Sequence, residues 1–180
     1  MWQFRIPTWI ILYLLAILVE TALLPQIFPV GWVPNLVLPV TIIIALYETP
    51  RRGLAAGLIG GLMQDVWAGR LWGLNALTFA LVGFLVANLE SRIVRDNIFV
   101  PGLLAGLAQL LVVPFQWGVL HMVGLHFGWS AFMRPLPVWL LFSMLVTPAI
   151  GGLLGFRPRH EVDRKYARTA MSRSGISRSR

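Results

Sequence analysis

Long apolar runs alternate with short polar turns along this chain as far as residue 156, and beyond it the apolar runs stop. Residues 6–24 make a first run of about the twenty residues a helix needs to cross a bilayer, and Glu20 is the charge that interrupts it near its far end. Residues 25–33 carry Pro25, Pro29 and Gly31 and no charge, so they predict an outer turn or a shallow re-entrant piece instead of regular helix. The second run, 34–47, is short for a bilayer and is expected to break at Pro39. A tight charged turn at 48–52 leads into runs 53–67 and 73–89, which predict a helical hairpin; both fall short of about twenty residues and need shielding by neighbours. After a charged loop at 90–97, with Arg92 and Arg95, the fifth run (98–120) is expected to kink at Pro114. The connection 121–134 mixes His121, His126, Trp129 and Phe132, and its amphipathic character predicts a segment on the membrane surface. The last run is 136–156.

Small residues recur inside these runs with a helical rhythm. Gly53, Gly57 and Gly61 fall four apart, Asp65 takes the next step, and Gly69 and Gly73 continue it into the turn. Steps of four drift by only about 40° per turn, so the glycines line one stripe of a helix. In lipid such a stripe marks where another backbone comes close, and an aspartate on it is placed to face protein or water. Ala76, Ala80, Gly83 and Ala87 offer the matching face on the next run. Two more small-residue faces occur: Gly102 with Gly106, and Ser143, Thr147, Gly151 and Gly155 on the final run. The central stripe should be used by its own hairpin partner, so a foreign transmembrane helix is expected on the final ladder, with the Gly102 face as the other option.

Composition turns this pattern into a class. With 57% hydrophobic and 12% charged residues and a mean hydropathy of +0.74, the chain reads as an all-α integral membrane protein with six transmembrane helices in residues 1–156. Residues 157–180 are rich in Ser and Arg and are expected to be a disordered basic tail. The net charge of +8 does not call for nucleic acid, because the cations sit beside apolar runs or in the tail. Six spans with the N-terminus inside give the cytoplasm Arg5, Arg51, Arg52, Arg92, Arg95 and the tail, and leave Arg70 and Arg134 outside. The positive-inside rule then favours both termini in the cytoplasm. Trp32, Trp67, Trp72, Trp129 and Trp139 fall at the expected outer boundary, and the tail either binds anionic lipid or is merely solvated. The chain has no cysteine, so disulfides and thiolate metal sites are excluded. The first run, with no small-residue cleavage site after it, is expected to remain as a span.

Candidate chemistry is sparse. Asp65 has a structural reading, as a carboxylate that reaches water, pairs with Arg70 or bonds Asn75, and a functional one, as a ligand or partner contact. Glu20 is similar, and Glu20, Asp65 and Asn75 at one depth would make a polar cluster. His121 and His126 are five apart, off a common helix face, and lack a third ligand. Ser91, Ser130 and Ser143 have no nucleophile context, and the glycines recur at packing spacing, not as a phosphate loop. No cofactor is expected.

The stretch Gly-Leu-Met-Gln-Asp65-Val-Trp-Ala-Gly69-Arg-Leu-Trp-Gly73-Leu-Asn75-Ala resembles the MreD family of bacterial rod-shape-determining membrane proteins. Pro34-Asn35 and Arg51-Arg52-Gly53 fit the same pattern, and the likeness covers about residues 5–156. The resemblance implies a non-enzymatic scaffold of the cell-wall elongation complex in the bacterial inner membrane. Its implied partners are MreC, MreB filaments, and the peptidoglycan synthase formed by RodA and a class B penicillin-binding protein. It further implies a fold like the substrate-binding subunits of energy-coupling-factor transporters. A small-molecule carrier, with Glu20, Asp65 and Asn75 lining an outward cavity, is therefore the alternative.

Overall fold

The computed structural model describes residues 6–29, 31–69, 73–89, 99–125 and 128–154, and every regular element among them is helical. In chain order these are α1 (Ile6–Ala22), α2 (Leu24–Ile27), α3 (Val37–Tyr47), α4 (Pro50–Ala68), α5 (Leu74–Asn88), α6 (Val100–Met122), α7 (Trp129–Met133) and α8 (Leu136–Leu153). Three apolar stretches are long enough to cross a membrane: Pro7–Ile27, Val100–Met122 and Trp129–Leu153. At 1.5 Å per residue the 11-residue α3 and 15-residue α5 measure only about 16 and 22 Å, against a hydrocarbon layer of about 30 Å.

The short helix α3 is the centre of the molecule. Every residue from Val37 to Leu46 is buried, and α1, α4, α5, α6 and α8 all pack against it. Its Ile, Val and Leu side chains are apolar all round, as a helix enclosed on every side should be. The outer helices turn their remaining aliphatic rows outward, such as Ile10, Ile11, Leu14, Leu15 and Leu18 on α1. An inverted surface of this kind suits lipid.

The α4–α5 hairpin packs closest. A Cβ on Gly57 would run into the Phe79 carbonyl, one on Gly61 into the backbone of Ala76, and one on Gly53 would come within 2.5 Å of the Gly83 carbonyl oxygen. The glycine stripe therefore meets its own hairpin partner, as its spacing predicts. Gly60, outside the four-residue rhythm, faces α1: a Cβ there would stand 2.6 Å from the Tyr13 ring.

Several local expectations need correction. Residues 25–33 are not wholly irregular, because α2 makes one turn with Pro25 in its first positions, where proline's missing N–H has no partner to lose. Pro39 does not break the second helix: α3 starts at Val37, so Pro39 falls in its first turn for the same reason. The fifth helix, with Pro114 inside it, ends at Met122 and not at 120, and so takes His121 from the connection that follows. The final ladder is not a free face. Ser143, Thr147 and Gly151 are buried, and a Cβ on Gly151 would meet Ile43 of α3 at 3.3 Å. Gly102 and Gly106 face Met144 of α8. Small residues mark a close approach but not whose backbone approaches, and the described glycines of all three faces meet this chain's own helices. Gly155, Arg70, Trp72, Arg92, Arg95, His126 and the tail lie outside the described residues.

Candidate functional site: a polar layer that caps two short helices

A helix that starts within a membrane presents unpaired N–H groups where water is scarce, and each needs an acceptor. Both short helices meet this need with a carboxylate. Asp65, 1% exposed, accepts three backbone N–H groups at the start of α5: Gly73 at 2.9 Å and Ala76 at 3.1 Å on Oδ2, and Asn75 at 3.1 Å on Oδ1. Negative charge at a helix N-terminus is also favoured by the helix dipole.

Two glycines beside Asp65 make this contact possible. Gly69 ends α4 in the left-handed conformation (φ +59°), its N–H bonded to the Asp65 carbonyl at 3.1 Å, and Gly73 enters α5 at φ +106°. Residues with side chains rarely adopt either conformation, so glycine is needed at both ends of the reversal. The turn then delivers the first N–H groups of α5 back onto the carboxylate that closes α4. Asn75 extends the layer outward, its side-chain oxygen accepting from Gln116 Nε2 of α6 at 2.7 Å.

The start of α3 is capped from a distance. Glu20 on α1 accepts the Leu36 N–H on Oε2 and Gln64 Nε2 on Oε1, both at 2.9 Å. Gln64 Oε1 accepts from Asn35 Nδ2 at 2.9 Å, and Asn35 Oδ1 accepts the Leu38 N–H at 3.0 Å. A carboxylate and two amides thus form one directed relay across α1, α4 and the entry to α3. One helix turn or more below it, the buried Tyr13 hydroxyl donates to the Ala56 carbonyl at 3.0 Å and meets Thr41 Oγ1 at 3.2 Å, joining the same three helices.

Glu20, Gln64 and Gln116 lie about 21–24 Å along α1, α4 and α6 from the start of each helix. Hydrogen bonds joining Gln64 to Glu20, Asn75 to Asp65 and Gln116 to Asn75 hold these polar groups at one level of the bundle. The cluster expected of Glu20, Asp65 and Asn75 resolves into two: Asp65 with the start of α5, and Glu20 with Asn35 through Gln64. Pattern reading did not single out Gln64, Gln116, Tyr13 or Thr41. Gln64 carried a signal as the first of two adjacent polar residues deep in an apolar run, and Gly60 carried one for Tyr13 by departing from the four-residue ladder. Gly102, Gly106 and Gly151 belong to helix packing, apart from this layer. Among the described residues, no three His, Cys, Asp or Glu side chains group as metal ligands.

The fold and this layer define a class: a helical membrane protein in which acids on longer helices cap short helices that begin within the bundle. The family model for the rod shape-determining protein MreD matches residues 2–154, and the chain belongs to that family. It is thus a member of a membrane protein family of rod-shape determination. Searches of curated proteins and of solved structures each found no match.

Proposed function

We propose that this protein is a non-enzymatic scaffold of the rod-shape system in the bacterial cytoplasmic membrane. It would dock MreC, and through it or directly influence RodA and a class B penicillin-binding protein, with MreB filaments on the cytoplasmic side. The observation that carries the reading is the family match over residues 2–154. The motif that the match contains builds the turn between α4 and α5, a role in shaping a rigid membrane body.

The same reading takes six spanning segments, α1 with α2, α3, α4, α5, α6 and α8, with residues 1–156 as the membrane domain and 157–180 as a cytoplasmic tail. Both termini then face the cytoplasm, as the arginines at 51 and 52 and in the tail favour. A layout like that of energy-coupling-factor substrate subunits is part of this proposal. A carrier role is less well supported: the oxygens of Glu20, Asp65 and Asn75 that would meet a ligand already accept hydrogen bonds from the chain itself. Because the small-residue faces are engaged internally, a partner helix would meet the exposed aliphatic rows.

Two measurements test the proposal. In cells depleted of their own MreD, the chain should restore rod shape and should retrieve the single-span partner in mild detergent. Round cells together with no retrieved partner would sink the scaffold reading. Since the chain has no cysteine, single cysteines at Gln26 and Thr49 report sidedness through an impermeant thiol reagent. Gln26 should label in intact cells, and labelling of Thr49 would reverse the orientation.

A further inference from the structure

We propose that the outer end of α6 as far as Leu125, together with α7, forms an anchor embedded in the outer leaflet, with the headgroup–acyl boundary of the lipid as its ligand. The leaflet assignment rests on the orientation proposed above; the depth does not.

Three independent observations carry it. The exposed row of α6, through Leu103, Leu107, Leu111 and Phe115, continues to Met122, which is 88% exposed, and on to the exposed Val123 and Leu125. The lipid-facing surface therefore extends past the polar layer at Gln116 by about two helical turns, or 9 Å. Second, residues 97–133 contain no Asp, Glu, Lys or Arg, and Arg134 is the first charge after them. A protrusion into water of this apolar character would be expected to carry charge; one seated in lipid must avoid it. Third, α7 buries none of its residues, yet it is fixed to α6 by aromatic rings. Trp117 stands edge-on to Trp129 at 4.9 Å and stacks with His121 at 5.2 Å. Amphipathic rings gathered at the end of a span suit the headgroup level, where one face meets chains and the polar edge meets water.

Together these features give the protein a wedge on one leaflet only, in addition to its spans. Interfacial segments of this kind respond to lipid packing and composition. A protein partner seated on the same apolar surface is the competing occupant.

The test uses the full chain carrying a single cysteine at Val123 or Leu125, both exposed, with Thr49 beside the charged turn as the reference. Each variant carries a thiol-linked fluorophore and is reconstituted into phosphatidylcholine vesicles. Nitroxide on the acyl chains should quench the label at 123 and 125, with loss of quenching by aqueous iodide, and Thr49 should show the reverse. Trp129→Ala, which removes an exposed ring, should restore iodide quenching at Leu125. Iodide quenching at 123 and 125 equal to that at Thr49 would overturn the anchor. Iodide quenching in vesicles that disappears in native membranes would overturn it in favour of a protein partner. Sidedness is read separately: labelling of a cysteine at Gln26 only from the cytoplasmic side would overturn the leaflet assignment and leave the depth result intact.

Discussion

The starts of α5 and α3 pose one physical problem and receive two different solutions. At α5 the acceptor lies on the preceding helix, and two left-handed glycines fold the chain back onto it, so the cap involves only residues 65–76. At α3 the acceptor is on α1, and the cap is completed by Gln64 and Asn35 from two further segments. The local cap can form with its hairpin, whereas the distributed cap requires α1, α3 and α4 to have assembled. The first closes a single hairpin; the second joins separate segments.

The largest effect is therefore expected at Asp65. Asp65→Leu strands three N–H groups, that of Ala76 buried and those of Gly73 and Asn75 part-buried, and at about 1 kcal/mol for each the hairpin should lose about 3 kcal/mol. Asp65→Asn retains one acceptor oxygen and should lose less than half as much while keeping the fold. Thermal unfolding in detergent, followed by loss of the monodisperse peak, measures both. Equal stability of Asp65→Leu and wild type would show that the cap is not needed.

A second variant tests whether the local cap depends on the close approach beneath it. Gly57→Ala places a methyl group against the Phe79 carbonyl, which is backbone and cannot rotate away. Overpacking of this kind costs about 1–3 kcal/mol. Gly118→Ala on α6 is the control, since a Cβ there meets nothing within 4 Å. If the hairpin owes its position to Gly57, combining Gly57→Ala with Asp65→Asn should depart from additivity. Additive losses would mean that cap and stripe act separately.

The same contrast explains what the sequence could reveal. The Asp65 turn was legible because all its parts lie within a dozen residues and glycines at fixed spacing announce it. Asn75 was legible as a polar start to a helix, but its bond to Gln116 spans 41 positions and leaves no local trace. Glu20 was visible as a charge in an apolar run, and Asn35 through its resemblance to the family pattern, yet nothing along the chain links them through Gln64. The small residues of α8 announce a close approach without saying whose; in the folded chain Gly151 meets Ile43 of α3. Element ends moved for a related reason: proline is read as a breaker, but in a first turn it removes no hydrogen bond, and Pro39 stands in such a turn.

The smallest effect is the most discriminating, because it tests the direction of the distributed cap. In the native relay Glu20 has two acceptors, so Gln64 must turn its NH2 towards Glu20 and its oxygen towards Asn35; Asn35 then turns its own oxygen to the Leu38 N–H. Glu20→Gln keeps an oxygen for Leu36 but presents NH2 to Gln64. Gln64 can reverse its amide to accept, which obliges Asn35 to reverse as well, and an NH2 group then faces the Leu38 N–H. One hydrogen bond is lost at the far end, a cost of about 1 kcal/mol. Asn35→Asp alone leaves Gln64 one NH2 group between two carboxylates and should also destabilise. The double variant Glu20→Gln with Asn35→Asp moves the charge to the other end of the relay. The new amide at position 20 donates to Gln64, Gln64 donates to the new carboxylate at position 35, and that carboxylate accepts the Leu38 N–H, so every group is paired again. The double variant should therefore be more stable than the sum of its parts predicts, by about 1 kcal/mol or more in a double-mutant cycle of unfolding in detergent. Simple addition of the two losses would mean that the three side chains act as separate contacts and that no directed relay joins α1, α4 and α3.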